Sequence, residues 1–206
     1  MNITNNNLIK LLNDSLNGYN YDIAKIVYYL YKDDYVCAKL KSKLWYKFIN
    51  HKWKQTELGP YSELSTNIVN IYEDYKKDLL TLLEQPENNI NSEDILKIET
   101  IIIKLKNVTY KENICRECLY LFYDSEFILK LDRNIHLIAF TNGILDLSNK
   151  ILRNGEKKDF VSLSIDIEYN QQNLDKIDQI INQFIHFRKK VLEKRLPNHI
   201  FKIQGN

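Results

Sequence analysis

Residues 135–169 read IHLIAFTNGILDLSNKILRNGEKKDFVSLSIDIEY, and the fold class turns on them. From Val161 onward an apolar residue stands at every second position: Val161, Leu163, Ile165, Ile167 and Tyr169. Ser162, Ser164, Asp166 and Glu168 fill the places between. A period of two sends alternate side chains to opposite faces of a pleat, which predicts a strand with one buried and one wet face. Upstream, the apolar run 136–140 meets Asn142-Gly143, the dipeptide that best tolerates positive φ. A third run, 144–147, ends in the polar turn Ser148-Asn149-Lys150. Three or four short antiparallel strands follow, with Asn142-Gly143 as either a hairpin turn or a bulge.

Outward from this stretch, helical spacing dominates. Residues 8–12 form a short helix, and 22–31 a helix apolar nearly all round and therefore buried. Residues 64–83 place Ile68, Val69, Ile71, Tyr72, Tyr75, Leu79, Leu82 and Leu83 along one side. Ser92 caps a helix to about residue 106, with Glu93 and Asp94 in its first turn to suit the macrodipole. Thr109 and Glu112 have capping-box spacing and open a helix to about 123. Asp124 caps a short helix to 131. Residues 174–196 carry the stripe Leu174, Ile177, Ile180, Ile181, Phe184, Ile185 and Val191, stopped by Pro197.

Two segments read differently. Residues 35–38 are a short strand. Residues 44–56, LWYKFINHKWKQT, fit a hairpin about Asn50-His51 that sets Phe48 opposite Trp53 and Lys47 opposite Lys54. A single helix over 36–49 is the alternative; the density of β-forming residues favours the hairpin. The fold class is thus α+β, predominantly helical, with a small antiparallel sheet near 135–169 and a β-hairpin near 44–56. Residues 1–19 read as an N-terminal extension, 20–170 as the main domain with a loop near 85–92, and 171–206 as a terminal helix and tail.

The 206 residues suffice for one domain with a real core or two small ones. A net charge of +2 says little about partners, so any nucleic-acid role must rest on a local patch. No apolar run approaches the roughly 20 residues needed to cross a bilayer. Three cysteines, an odd number, make a disulfide framework unexpected and fit a reducing compartment.

One stretch stands out for chemistry. Lys39, Lys41, Lys43, Lys47, Lys52 and Lys54 fall in a run that holds no acid, interleaved with Trp45, Tyr46, Phe48 and Trp53. Ammonium groups neutralise phosphates and aromatic faces stack on unpaired bases, so the mixture suits single-stranded nucleic acid. A solvated lysine face over an aromatic mini-core is the more ordinary reading, since lysines also block edge pairing. Exposure of Trp45 or Trp53 decides between them.

Metal-like patterns are thin. Cys115 and Cys118 supply half a zinc site inside a helix, where a core role is the ordinary reading; His136 or Cys37 are the only completions. Asp166 and Glu168, two apart on a strand, would share a face in the manner of two-metal enzymes, but no third ligand is evident. The four histidines are isolated from any nucleophile. Phosphate-loop, zinc-protease, nucleophile-elbow and dinucleotide signatures are all missing.

The segment 137–164 also resembles the D5-type N-terminal domain that precedes the superfamily 3 helicase module in viral helicase-primases and in phage and plasmid primases. The likeness lies in the apolar run 137–140, Asn142-Gly143, the Ile-Leu-Asp-Leu run ending in Asp146 and Leu147, Arg153-Asn154-Gly155, and Asp159 through Ser162 to Ser164. The stretches YKENICRECLYLFYDSEFILKLDRNIHLIAF and LWYKFINHKWK fit as well, so the likeness covers roughly 20–170. It implies a non-catalytic module of a DNA helicase-primase. Its partners would be DNA, single-stranded or forked, and helicase or primase modules or subunits, with homo-oligomers in a full-length setting and no membrane. The setting would be the cytoplasm or viral factory of an infected cell. Asn142, Gly143, Asp146, Asp159 and Ser162 would be structural motif residues, and Lys43, Trp45, Lys47, Lys52, Trp53 and Lys54 the DNA-contact candidates. It implies no cofactor for this chain, ATP and magnesium belonging to a helicase module before which the chain stops. A metal-dependent nucleotidyl-transfer enzyme using Asp166 and Glu168, and a fragment with only a scaffolding role, are the competing expectations.

Overall fold

Apolar residues at helical spacing build most of the secondary structure. The computed structural model describes residues 6–84, 91–170 and 174–195. Its elements are α1 (Asn6–Asp14), α2 (Asn20–Tyr31), β1 (Tyr35–Lys39), β2 (Leu44–Ile49), β3 (Lys52–Thr56), α3 (Tyr61–Ser65) and α4 (Asn67–Leu83). They continue as α5 (Ser92–Lys104), α6 (Val108–Leu121), α7 (Phe127–Lys130), β4 (Leu137–Phe140), β5 (Gly143–Asp146), β6 (Ile151–Arg153), a 3-10 turn at Lys157–Asp159, and α8 (Leu174–Arg195). Two three-stranded sheets form, β1-β2-β3 and β4-β5-β6. The fold is α+β and mainly helical. Most of the expected loop, Pro197, and the side chains of Leu174 and Ile177 lie outside the described residues.

The chain divides into two compact units, one made of residues 1–45 and 56–123, the other of 46–55 and 124–206. The first is a helical body. Its core gathers Leu12 of α1, Ile23, Ala24, Ile26 and Val27 of α2, Ile68 and Tyr72 of α4, Ile98 and Ile101 of α5, and Ile114 and Cys118 of α6. Leu8 and Leu12 of α1 thus join this core. Phe122 anchors an aromatic cluster, its ring 5.1 Å from Tyr28, 5.6 Å from Trp45 and 6.4 Å from Tyr35. Buried polar groups pair: Ser15 Oγ lies 2.6 Å from the Tyr72 hydroxyl, and Tyr35 OH donates to Glu63 at 3.0 Å.

Three helix starts differ from expectation; Glu126, not Asp124, precedes α7, and its side chain makes no cap. Asn91, not Ser92, caps α5, its side chain accepting from the Glu93 amide at 3.0 Å. Asn107 caps α6 by accepting from the Tyr110 amide at 3.2 Å, which leaves Thr109 inside the helix and the expected capping box unformed. Both asparagines sit one or two places earlier and satisfy the orphan amides first. The single helix expected over 64–83 is broken at Thr66, whose φ of −122° and ψ of −87° separate α3 from α4.

In the second unit, β4 and β5 pair antiparallel with Phe140 opposite Gly143, so Thr141 and Asn142 form a two-residue turn. Neither has positive φ; the glycine, at φ +151°, is the first strand residue instead. A Cβ there would lie 2.7 Å from the Arg153 carbonyl oxygen, so close pairing of β5 with β6 demands glycine.

The expected strand over 161–169 does not form. The segment touches β4 through one parallel bridge, Ala139 with Ser164, and the Ile165 amide donates to Ala139 O at 2.8 Å. Beyond it Asp166, Ile167 and Glu168 are exposed. The physical reason is where its amides go. Ser162 N and Leu163 N donate to Asp132 Oδ1 at 2.7 and 2.9 Å, and Asp132 N donates to Phe160 O at 2.7 Å. A buried carboxylate occupies the position a partner strand would fill, satisfying the same donors. Asp132 adopts φ +59°, which aspartate tolerates better than most residues. Its Oδ2 also accepts from Ser162 Oγ at 2.5 Å and from Arg195 of α8 at 2.6 Å. Seven residues earlier on α8, Arg188 is buried with its guanidinium 5.9 Å from the Phe184 ring centre, and it donates to the carbonyls of Leu137 and Ile135 at 2.9 and 2.8 Å.

Candidate nucleic-acid interface

The lysine-rich stretch folds as the two-residue hairpin its residues predict. Asn50 and His51 take φ +49° and +69°, matching the twist of paired strands. Phe48 and Trp53 meet across it with ring centroids 5.5 Å apart. Sequence reasoning placed the hairpin and a strand at 35–38, but not their joining in one sheet.

The indoles point inward. Trp45 is 3% exposed and packs on Phe122; a Cβ on Gly59 would lie 2.6 Å from its ring. Trp53 is 4% exposed, donates Nε1–H to Lys157 O at 2.9 Å, and packs edge-on against Phe127 at 5.0 Å. Neither ring keeps an open face for a base. Lys52 is committed as well, its ammonium on Ser164 Oγ and 3.6 Å from Asp166. Lys47 is half-buried. Lys39, Lys41 and Lys43 in the first unit and Lys54 in the second are exposed. The stretch therefore offers cations for phosphate, while its tryptophans serve the two cores.

The motif residues hold the second unit together. Asn142 caps the end of the irregular segment, accepting from Tyr169 N at 3.0 Å and donating to Tyr169 O at 3.1 Å. Asp146 accepts from Ser148 N at 2.9 Å and Asn149 Nδ2 at 2.8 Å, shaping the turn after β5; the Asn149 hydrogen bond holds its carboxyl below the usual range. Asp159 forms a two-pronged pair with Arg153, both contacts 2.8 Å. Burial alone would raise its pKa, but the bonds from Arg153 and the Glu156 amide outweigh that and lower it. Ser162 joins the Asp132 cluster. Sequence reading missed Asp132, Arg188 and Arg195; an arginine on the apolar stripe of α8 was the available signal for Arg188.

The metal candidates are not brought together. Among the described residues, no group of three or more His, Cys, Asp or Glu side chains could hold a metal ion. Burial pushes the Cys115 thiol up to about 12 and Cys118 well above its ordinary value, so both stay protonated and are poor ligands at neutral pH. Asp166 is 86% exposed at its side chain and lies in a bend, so it and Glu168 do not share a pleated face. His51 ties the hairpin turn to the loop after β6, Nδ1 accepting from Gly155 N at 3.1 Å.

Comparison with known proteins adds a family. The model described as "D5 N terminal like" matches residues 24–186. A protein of Acanthamoeba polyphaga mimivirus named "Putative helicase" is 30% identical over 186 residues, 88% of this chain and 19% of that protein. Proteins likewise named "Putative helicase" from Frog virus 3 (isolate Goorha) and Invertebrate iridescent virus 3 are 28% identical over 188 residues and 31% identical over 94. These cover 74% and 46% of this chain, and 19% and 10% of the relatives. The chain thus spans about a fifth or less of the length of the curated relatives it matches.

Proposed function

Since this chain belongs to the D5 N-terminal-like family, we propose that it is a non-catalytic accessory domain of a viral DNA helicase-primase, engaging DNA and neighbouring subunits during replication in the infected cell. The observation that carries the proposal is the acid-free run 39–54, where Lys39, Lys41, Lys43 and Lys54 stand exposed. Relatives named as helicases support a DNA-directed role, and exposed lysines supply the sequence-independent attraction such a role needs. ATP hydrolysis is assigned to no residue of the chain. No described helix is long and apolar enough to cross a membrane.

The test is a triple charge reversal, Lys41→Glu, Lys43→Glu and Lys54→Glu, with single-stranded DNA binding followed by fluorescence anisotropy. Affinity should fall at least about tenfold at low salt, where each phosphate contact counts most. Unchanged affinity would reject DNA binding by this stretch and leave subunit contact as the surviving role.

A further inference from the structure

We infer that Tyr123 is the platform on which an unpaired base stacks, making single-stranded nucleic acid, rather than duplex, the ligand of the turn at 40–43. This deepens the DNA-binding proposal and rests on it. Tyr123 is 45% exposed and lines an open basin of about 610 Å³ whose other walls are Lys39, Leu40, Lys41 and Ser42. No acid is among them.

Its backbone is held in place. Tyr123 bridges Cys37 of β1 in parallel fashion, and the Cys37 amide donates to Phe122 O at 2.9 Å. Phe122 itself is buried in the aromatic cluster of the first unit. The ring that follows it is thus fixed at its root yet not consumed by the core. With the backbone fixed, only the ring's own side-chain torsions are left to order when a ligand arrives.

Stacking and phosphate neutralisation are the two components that single-strand binders combine. Every base has a π-face, so the contact tolerates any sequence. In a duplex those faces are already stacked, and Tyr123 would gain nothing. The neighbouring pocket of about 210 Å³, lined by Lys43, Trp45, Tyr61, Arg116 and the carboxylates of Glu57 and Glu112, is a poorer phosphate site because of its acids.

The experiment compares Tyr123→Ala, Tyr123→Phe and the parent chain on labelled oligothymidylate and on a blunt duplex, together with photocrosslinking to bromodeoxyuridine-substituted oligonucleotide. Loss of one stacked base predicts about tenfold or more weaker single-strand binding for the alanine variant, and a change within about twofold for phenylalanine. Duplex binding should not respond to either change, and the crosslink should map to the peptide holding Tyr123. Circular dichroism melts exclude misfolding, and the crosslink in the parent decides if the alanine variant unfolds. Parent-like binding by Tyr123→Ala, with binding lost in Lys39→Glu/Lys41→Glu, would overturn the stacking assignment alone. Parent-like binding by the lysine pair as well would overturn both proposals.

Discussion

The two units hold themselves together in different ways. The first stacks apolar helix faces into a continuous core, inside which a few buried side chains pair with one another, Ser15 with Tyr72 and Tyr35 with Glu63. The second has short strands and small clusters, such as that of Ile138, Phe140, Leu145, Ile165, Ile181 and Phe184. It relies on charged side chains that satisfy backbone groups: Asp132 for the amides of 162 and 163, Arg188 for the carbonyls of 135 and 137. Where helices meet, the apolar pattern is enough. Where strands are three or four residues long, a side chain takes over work that a ladder would do.

The largest expected effect follows from that contrast. Asp132→Ala strands Arg195 and two amides in a site where the carboxylate is nearly inaccessible. Removing one member of a buried ion pair costs about 3–5 kcal/mol. Urea denaturation should register that loss, and hydrogen exchange should place it in residues 137–165. The counterpart in the first unit is apolar: Ile98, fully buried, should cost about 2–5 kcal/mol as alanine. A small effect at Asp132 beside a large one at Ile98 would break the comparison.

Acid sharpens it next. Asp159 has a depressed pKa in the folded chain, so its contribution is present above the unfolded value of about 3.9 and is lost as pH falls through the folded value. Urea midpoints measured below about pH 5 should fall more steeply for the parent than for Asp159→Asn. Identical acid limbs would remove Asp159 from the account. The smallest effect concerns a cap. Asn107→Ala should cost about 1 kcal/mol, whereas Thr109→Ala should be close to neutral in a thermal melt. The reverse ranking would restore the capping box.

How much of this was legible in the residues depends on distance along the chain. The helices and the hairpin at 50–51 rest on neighbours, and period and turn chemistry expose neighbours. The segment 161–169 carried a strand pattern, but its partners are Asp132, about thirty residues earlier, and Arg195, some thirty later. No local period reveals a carboxylate standing in for a strand. The DNA-contact candidates show the same limit. Alternation cannot say which aromatic ring a core will claim, and it claimed Trp45 and Trp53. Tyr123 drew no notice because it follows a helix rather than joining the lysine run.

The most direct test of the central claim is the salt dependence of oligothymidylate binding by the parent chain. If Lys39, Lys41, Lys43 and Lys54 each neutralise one phosphate, log K against log salt is a straight line with slope about −3, from roughly −0.7 per contact on single strands. A slope near zero, or no binding at the lowest salt, would contradict the account.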